Sequence, residues 1–164
     1  MLEPTPSAFR AQLIVPEQRQ LFDYWLERCV EGRLPVRGEI RPAHFPRLLP
    51  FISLIDCIAP ESFKVRLAGT RLREVYDCEI TGLDVACLDC GDDQSYWLNT
   101  YKQIFATRAP AQGVVRAPQK SKDHLVQFWL RLPLADATGA VNMILAHDSF
   151  VPAMEMPDHA AVRA

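Results

Sequence analysis

The chain has no surplus of basic charge. Eighteen Lys and Arg stand against twenty Asp and Glu, a formal net charge of −2, so nothing marks it as a nucleic-acid binder. No apolar run reaches the roughly 20 residues that a membrane-spanning helix needs. The N-terminus lacks the charged-then-apolar pattern of a signal peptide. These absences predict a cytoplasmic protein with no membrane insertion. Cysteine is sparse and odd in number: Cys29, Cys57, Cys78, Cys87 and Cys90. A disulfide framework is therefore not expected. There is no Gly-rich phosphate loop, no G-x-S-x-G and no H-E-x-x-H. No residue is nominated as catalytic, and the chain is not expected to be an enzyme.

What is present suits one domain with one core: 164 residues, 49% of them hydrophobic and 23% charged. Residues 1–15, with Pro4 and Pro6, read as a loose leader. A helix over 16–33 follows, started by Pro16. Its apolar stripe is Leu21, Phe22, Trp25, Leu26, Cys29 and Val30; Gly32 and Pro35 end it. Residues 34–50 are proline-rich and irregular, with a helical turn at 44–49. Residues 51–58 form a nearly continuous apolar run, a buried strand. Phe63, Val65 and Leu67 alternate with Lys64 and Arg66, the pattern of a half-buried strand, so the two runs make a hairpin. Thr70 is placed as the cap of a short helix carrying Leu72, Val75 and Tyr76. A longer helix starts near Asp92 or Asp93, carries Trp97, Leu98, Tyr101, Ile104 and Phe105, and ends at Pro110. Three strands follow at about 113–118, 124–134 and 140–150. Residues 125–134 are apolar on both faces and call for cover on both sides. Residues 151–164 read as a flexible tail, leaving 16–150 as the domain. The order of elements is that of an antiparallel α+β sheet.

Particular residues sharpen this. Leu21 to Trp25 (LFDYW), His44 to Asp56 (HFPRLLPFISLID), Phe63 to Tyr76 (FKVRLAGTRLREVY) and Glu79 to Gly82 (EITG) resemble the stand-alone bacterial PAS-like domains, a family once catalogued in alphaproteobacteria as a domain of unknown function. The likeness is dense over residues 20–83 and continues by topology to about 150. It implies a PAS-like five-stranded antiparallel sheet with intervening helices, here with an extra N-terminal amphipathic helix. It also implies a signalling role and a tendency to dimerise. Asp77 and Cys78 stand where that family leads one to expect a small residue; Asp tolerates the left-handed backbone such a turn needs.

Several groups of residues carry candidate chemistry. In PAS domains the longer helix covers a pocket, so Tyr76, Trp97, Tyr101, Phe105 and Trp129 are ligand-pocket candidates. Tyr76, Tyr101 and Arg116 would supply polar contacts. His147, on the face of Val141, Met143 and Leu145, is a further candidate, and it points away from its neighbour Asp148. An ordinary filled core reads the same residues without a ligand. Cys87 and Cys90 form a C-x-x-C, and with Cys78, and Cys57 or His44, they are the material for a metal or thiol site. Small buried or semi-exposed thiols fit the same spacing, so no metal is expected. Asp89, Asp92 and Asp93 lack the oxygen ligands of a calcium loop and read as helix caps. No cysteine stands in a flavin-reactive context and no histidine is placed for haem, so the cofactor is left unknown. The stripe Leu21, Phe22, Trp25, Leu26 and Cys29 either covers its own sheet or meets a second copy in a homodimer, the latter favoured. The expected function is a sensory module that binds a small molecule or a separate signalling partner. A pure interaction module with a filled core and a metal- or thiol-dependent protein are the alternatives.

Overall fold

The computed structural model describes residues 4–88, 94–117 and 124–155. Five strands form one antiparallel sheet: β1 (Ile52–Ala59), β2 (Ser62–Ala68), β3 (Ala111–Arg116), β4 (Leu125–Ala135) and β5 (Val141–Pro152). Their spatial order is β2-β1-β5-β4-β3. The α+β architecture expected from the element order is the one observed. Helices α1 (Pro6–Gln12) and α2 (Pro16–Leu26) cover one face, and α3 (Thr70–Tyr76) and α4 (Gln94–Thr107) the other. No helix among the described residues is long and apolar enough to cross a membrane.

Strand β4 is buried on both faces along its whole length. Alternation sends Leu130, Leu132 and Leu134 under α1 and α2, and Trp129 under α4. Two side-chain donors staple α2 to this strand. Gln18 Nε2 donates to the carbonyl of Phe128 at 3.0 Å, and Trp25 Nε1 to that of Pro133 at 2.9 Å. They sit seven residues apart, two helical turns, and so on one helix face. Pro133, paired with Ile144 of β5 on one side, is tolerated because β3 ends at the Ala111–Arg131 pair, leaving no ladder partner on its other side. Beyond that point Ala135 N–H donates to Pro35 O at 2.9 Å.

The ends of the chain depart from expectation. The expected loose leader 1–15 is not loose over its described part, since Pro6–Gln12 form α1. Pro6 occupies the first turn, where no amide donor is needed. Thr5 Oγ1 accepts from Ala8 N–H, and Phe9 and Leu13 are buried against the sheet cover. The second helix ends at Leu26, not in the low thirties. Arg28 Nη1 takes the Tyr24 carbonyl at 2.6 Å and its own N–H bonds Trp25, which tightens the last turn. Glu31 and Gly32 then adopt positive φ. At the other end β5 runs through Val151 to Pro152 and 153–155 form a single turn, so the tail starts later than 151; residues 156–164 lie outside the described ones, as do 118–123, which hold the whole of the β3–β4 turn expected at 119–123. Asp92 and Asp93 do too, so their capping role is not on view.

Thr70 is the first helical residue, not the cap; that place falls to Gly69. The reason is steric. A Cβ on Gly69 would lie 2.3 Å from the Leu49 carbonyl oxygen and 2.4 Å from that of Pro50. Here the hairpin's exit crosses the helical turn Pro46–Phe51, and only glycine passes. Asp77 closes α3 with φ 54°, the left-handed geometry expected of it. Gly69→Ala is expected to destabilise the domain by about 3 kcal/mol, as overpacking against rigid backbone does. Urea denaturation followed by tryptophan fluorescence measures it. An unchanged midpoint contradicts the close approach.

Candidate functional site

The α4 face of the sheet holds the only charged pair buried on both sides among the described residues. Arg131 on β4 and Asp148 on β5 have side chains 4% and 2% exposed, with Nη2 2.9 Å from Oδ1. Register places them on one face: Trp129 pairs with Asp148, and Arg131 lies two residues along. Such a pair is costly to bury unless its other hydrogen-bonding groups are met, and here the guanidinium is well supplied. Nε donates to Tyr101 Oη at 3.0 Å. Nη1 donates to the carbonyls of Leu130 at 3.0 Å and His147 at 3.3 Å. Its plane lies over the Trp97 ring, 4.8 Å from the centroid, a cation–π contact. Burial alone would pull the guanidinium down; Asp148 and Tyr101 outweigh it and hold its pKa above the ordinary value. Asp148 Oδ1 also accepts from Gln127 Nε2 at 2.7 Å.

Aromatic rings enclose this network. Trp97 meets Trp129 at 5.4 Å and Tyr101 at 6.2 Å between centroids. Phe63 meets Tyr101 at 5.6 Å, and Tyr96 meets Trp129 at 6.1 Å. Gly113 on β3 makes room, since a Cβ there would come within 2.7 Å of the Trp129 ring. Two buried atoms on this face have no hydrogen-bond partner: Trp129 Nε1, a donor, and Gln127 Oε1, an acceptor.

Of the residues nominated from the sequence, Tyr76, Trp97, Tyr101 and Trp129 come together here, all buried. Phe105 is half-buried at the seam where α4 meets both cores. Two nominations are corrected. Arg116 is exposed on β3, and alternation turns it away from Gly113 and Val115. His147 does share the face of Val141, Met143 and Leu145, but that face lies under α1 and α2, not α4. Its imidazole is buried with neither nitrogen partnered, beside Phe51 at 6.1 Å. The residues that sequence reasoning missed are Gln127, Arg131 and Asp148. Their signal was available: Gln127 and Arg131 flank Trp129 at two-residue spacing within a doubly buried run, which puts two polar groups on one buried face.

The helix stripe and the thiols also find their places. Leu21, Phe22 and Trp25 are buried within this chain, with Leu26 and Cys29 half-buried beside them. The stripe is therefore spent on its own sheet, and the argument for a dimer through it falls away. Cys78 and Cys87 are exposed, and Cys90 lies outside the described residues, as does Asp89. Cys57 is half-buried and burial, with Asp56, pushes its thiol up to about 12; burial likewise takes Cys29 to about 11. His44 is engaged with Tyr24 Oη at 3.2 Å. Among the described residues no three His, Cys, Asp or Glu side chains converge as a metal set.

Two measurements follow. Asp148→Asn or Arg131→Met alone leaves a buried group unmatched and is expected to cost about 3–5 kcal/mol. The double variant should cost clearly less than the sum, a coupling read from a denaturation cycle; simple additivity contradicts the network. The second concerns His147. Burial, partly offset by Asp148, pushes its pKa from 6.5 down to about 4. The unfolded chain therefore takes up the proton first as the pH drops. Stability should fall between about pH 6.5 and 4 by up to about 3 kcal/mol. His147→Leu removes that component, seen as a flatter stability–pH curve over the same window.

Comparison with known proteins bears on the whole arrangement. None of the curated proteins compared matches the chain. Among solved structures, the LOV protein of Rhodobacter sphaeroides superposes with a TM-score of 0.51 at 15% identity, covering 71% of each chain. VqmA of Vibrio cholerae, described as a dimer, does so with 0.57 at 10% identity, covering 71% of this chain and 52% of its own. An RNA-binding light-oxygen-voltage receptor gives 0.52 at 16%, with 75% of this chain matched to 37% of that one. The chain spans about half the length of VqmA and little more than a third of the RNA-binding receptor, and identities this low speak for the fold alone. A family model described as PAS domain matches residues 14–147, and with that match over most of its length the chain belongs to the PAS-domain family.

Proposed function

We propose that the protein is a sensory PAS module whose input site is the α4 face of the sheet around Arg131 and Asp148. The observation that carries the reading is the polar network of Arg131, Asp148, Gln127 and Tyr101 set among aromatic rings. A fold stabilised by packing alone has little use for it, since apolar residues of similar volume often serve stability as well or better. An apolar wall with a few placed polar groups is the composition of a small-molecule site.

Output passes to a separate partner through the opposite face. Arg131 bonds the backbone of Leu130 and His147, whose side chains lie beneath the N-terminal helices. A ligand that repositions Arg131 thereby favours one docking of α1 and α2 over another, which is all a signal requires. The outer surface of those helices, with Arg10, Arg19, Asp23 and Tyr24, is then the contact surface for the partner or for a second copy. VqmA, of like fold, supports the homodimer. The exposed free thiols of Cys78 and Cys87 suit the reducing cytoplasm. No catalytic role is assigned to any residue.

One observation favours the second reading, an interaction module with a filled core: the rings of Trp97, Trp129, Tyr101 and Phe63 already pack on one another. Native mass spectrometry of protein purified without denaturant separates the two. A mass excess that acid releases as a compound of a few hundred daltons is expected. A mass equal to the chain alone, with no compound raising the melting temperature in a broad thermal-shift screen, overturns the sensor reading in favour of the filled core.

A further inference from the structure

Charge is unevenly placed along this chain. Residues 28–47 hold five arginines and no lysine against two glutamates, whereas the whole chain carries a net charge of −2, so the remainder is acidic. The fold then gathers these cations. The segment forms three short turns, Arg37–Glu39, Pro42–His44 and Pro46–Phe51, and the first two meet α2 at Tyr24. Arg41 N–H donates to Tyr24 Oη at 2.9 Å, and His44 Nδ1 lies 3.2 Å from the same oxygen. Arg28 Nε donates to the Glu39 carbonyl at 3.1 Å, with its guanidinium 3.4 Å over the Tyr24 ring. Arg37 Nη1 donates to the next carbonyl, that of Ile40, at 3.0 Å. Arg28, Arg37, Arg41 and His44 therefore share one patch around Tyr24.

Little in the fold neutralises this patch. Glu39 is spent on Arg33, which it meets through both oxygens at 2.9 and 3.0 Å, and on Val36 N–H at 2.8 Å. Arg37 and Arg41 form no ion pair among the described residues, and Arg41 and His44 are exposed. A guanidinium carries five N–H donors, of which Arg37 uses one. Its anchor on the Ile40 carbonyl already restrains it, so less side-chain freedom is lost when it pairs. Cations held in place without their anions are one half of a complementary interface.

The carboxylates of a protein segment suit this patch better than a nucleic-acid backbone. An extended polyanion would run beyond it onto the acidic remainder of the chain, which repels it. A short run of Asp and Glu need cover only the patch. Tyr24 also lines a groove on α2 with Pro16, Arg19 and Gln20, where such a segment can continue. The groove's Asp23 does not oppose it, because Arg10 holds that carboxylate at 2.7 and 2.9 Å.

We propose that the Tyr24 patch docks an acidic segment, rich in Asp and Glu, of a separate partner protein, with Arg37 and Arg41 pairing with its carboxylates. This rests on the reading that the outer surface around the N-terminal helices carries the output, and it adds the chemistry of what docks there.

The test uses the full chain and three labelled probes: octaglutamate, octaglutamine and an oligothymidine of equal length. Fluorescence anisotropy reads the binding. Octaglutamate is expected to bind about tenfold or more tighter than either other probe, and several-fold more weakly as salt rises from about 50 to about 200 mM. In amide NMR spectra the largest shifts should fall on residues 37–44, with Arg41 N–H among them. Arg37→Glu with Arg41→Glu should weaken octaglutamate about tenfold or more while keeping native circular dichroism. Arg73→Glu with Arg116→Glu makes the same change of net charge on exposed residues of α3 and β3, and should weaken it less than twofold.

If octaglutamate does not bind, or if the two double variants weaken it equally, the proposal is overturned. If oligothymidine binds as tightly as octaglutamate, the surface reads polyanions at large and the proposal fails as well. The output reading is tested apart from it by sedimentation velocity: a dimer of the full chain that Gln20→Arg on α2 dissociates keeps this surface as a contact for a second copy, whereas a monomer removes that use too.

Discussion

A strand buried on both faces must meet every polar group it carries, and β4 is such a strand for all eleven residues. Much of the molecule can be understood as the answer to that demand. Apolar residues at the even positions are satisfied by α1 and α2, which bring Leu21, Phe22 and Trp25 down upon them. Where β3 stops, the carbonyl of Pro133 is left without a ladder partner, and Trp25 supplies the donor. Gln18 adds a second donor from the same helix, to the carbonyl of Phe128 within the ladder. The helix is therefore fixed by backbone acceptors as well as by its apolar stripe. That is why the stripe faces inward here and is not available to a second copy.

The odd positions of the same strand pose a harder problem, because Gln127 and Arg131 are polar and face the interior. Arg131 is accommodated by spreading its donors over Tyr101, Asp148 and two carbonyls, with Trp97 across its plane. This leaves little freedom: an arginine so placed fixes the position of α4 through Tyr101 and of β5 through Asp148. A lysine could not serve, since one ammonium cannot span those acceptors in a plane. Gln127 is only half satisfied, and Trp129 between them not at all at its nitrogen. The unmet atoms lie beside a network that is otherwise complete, which gives this patch a different character from the rest of the core.

The fold was largely legible in the residue pattern because its signals are periodic. The alternation of Phe63, Val65 and Leu67, the doubly apolar run at 125–134 and the helical stripe of Trp97, Tyr101 and Ile104 each map onto the element they suggest. Failures occurred where local chemistry overrode pattern. Pro4 and Pro6 suggest disorder, yet a proline in the first turn and a threonine cap make a good helix start. The stripe through Val30 suggests a longer helix, but Arg28 captures a carbonyl and stops it. The aromatic part of the candidate site was legible from helix spacing. Its polar part was not, because Arg131 and Asp148 are 17 residues apart in the chain and meet only through the β4–β5 register. A one-residue slip of either strand would have put the two on opposite faces. His147 shows the same sensitivity: it was placed on the right set of neighbours, but the identity of the face depended on which helices cover it.

That adjacency of His147 and Asp148 has a further consequence. Two neighbouring residues of one strand face two different cores, one kept neutral by burial and the other paired with a cation. The guanidinium of Arg131 reaches between them, bonding Asp148 through its side chain and His147 through its carbonyl. It does likewise on its own strand, where it bonds the carbonyl of Leu130. The charged network on the α4 face is thus anchored on backbone whose side chains lie beneath the N-terminal helices. The two faces are separated by a single layer of peptide, and one side chain holds both sides of it.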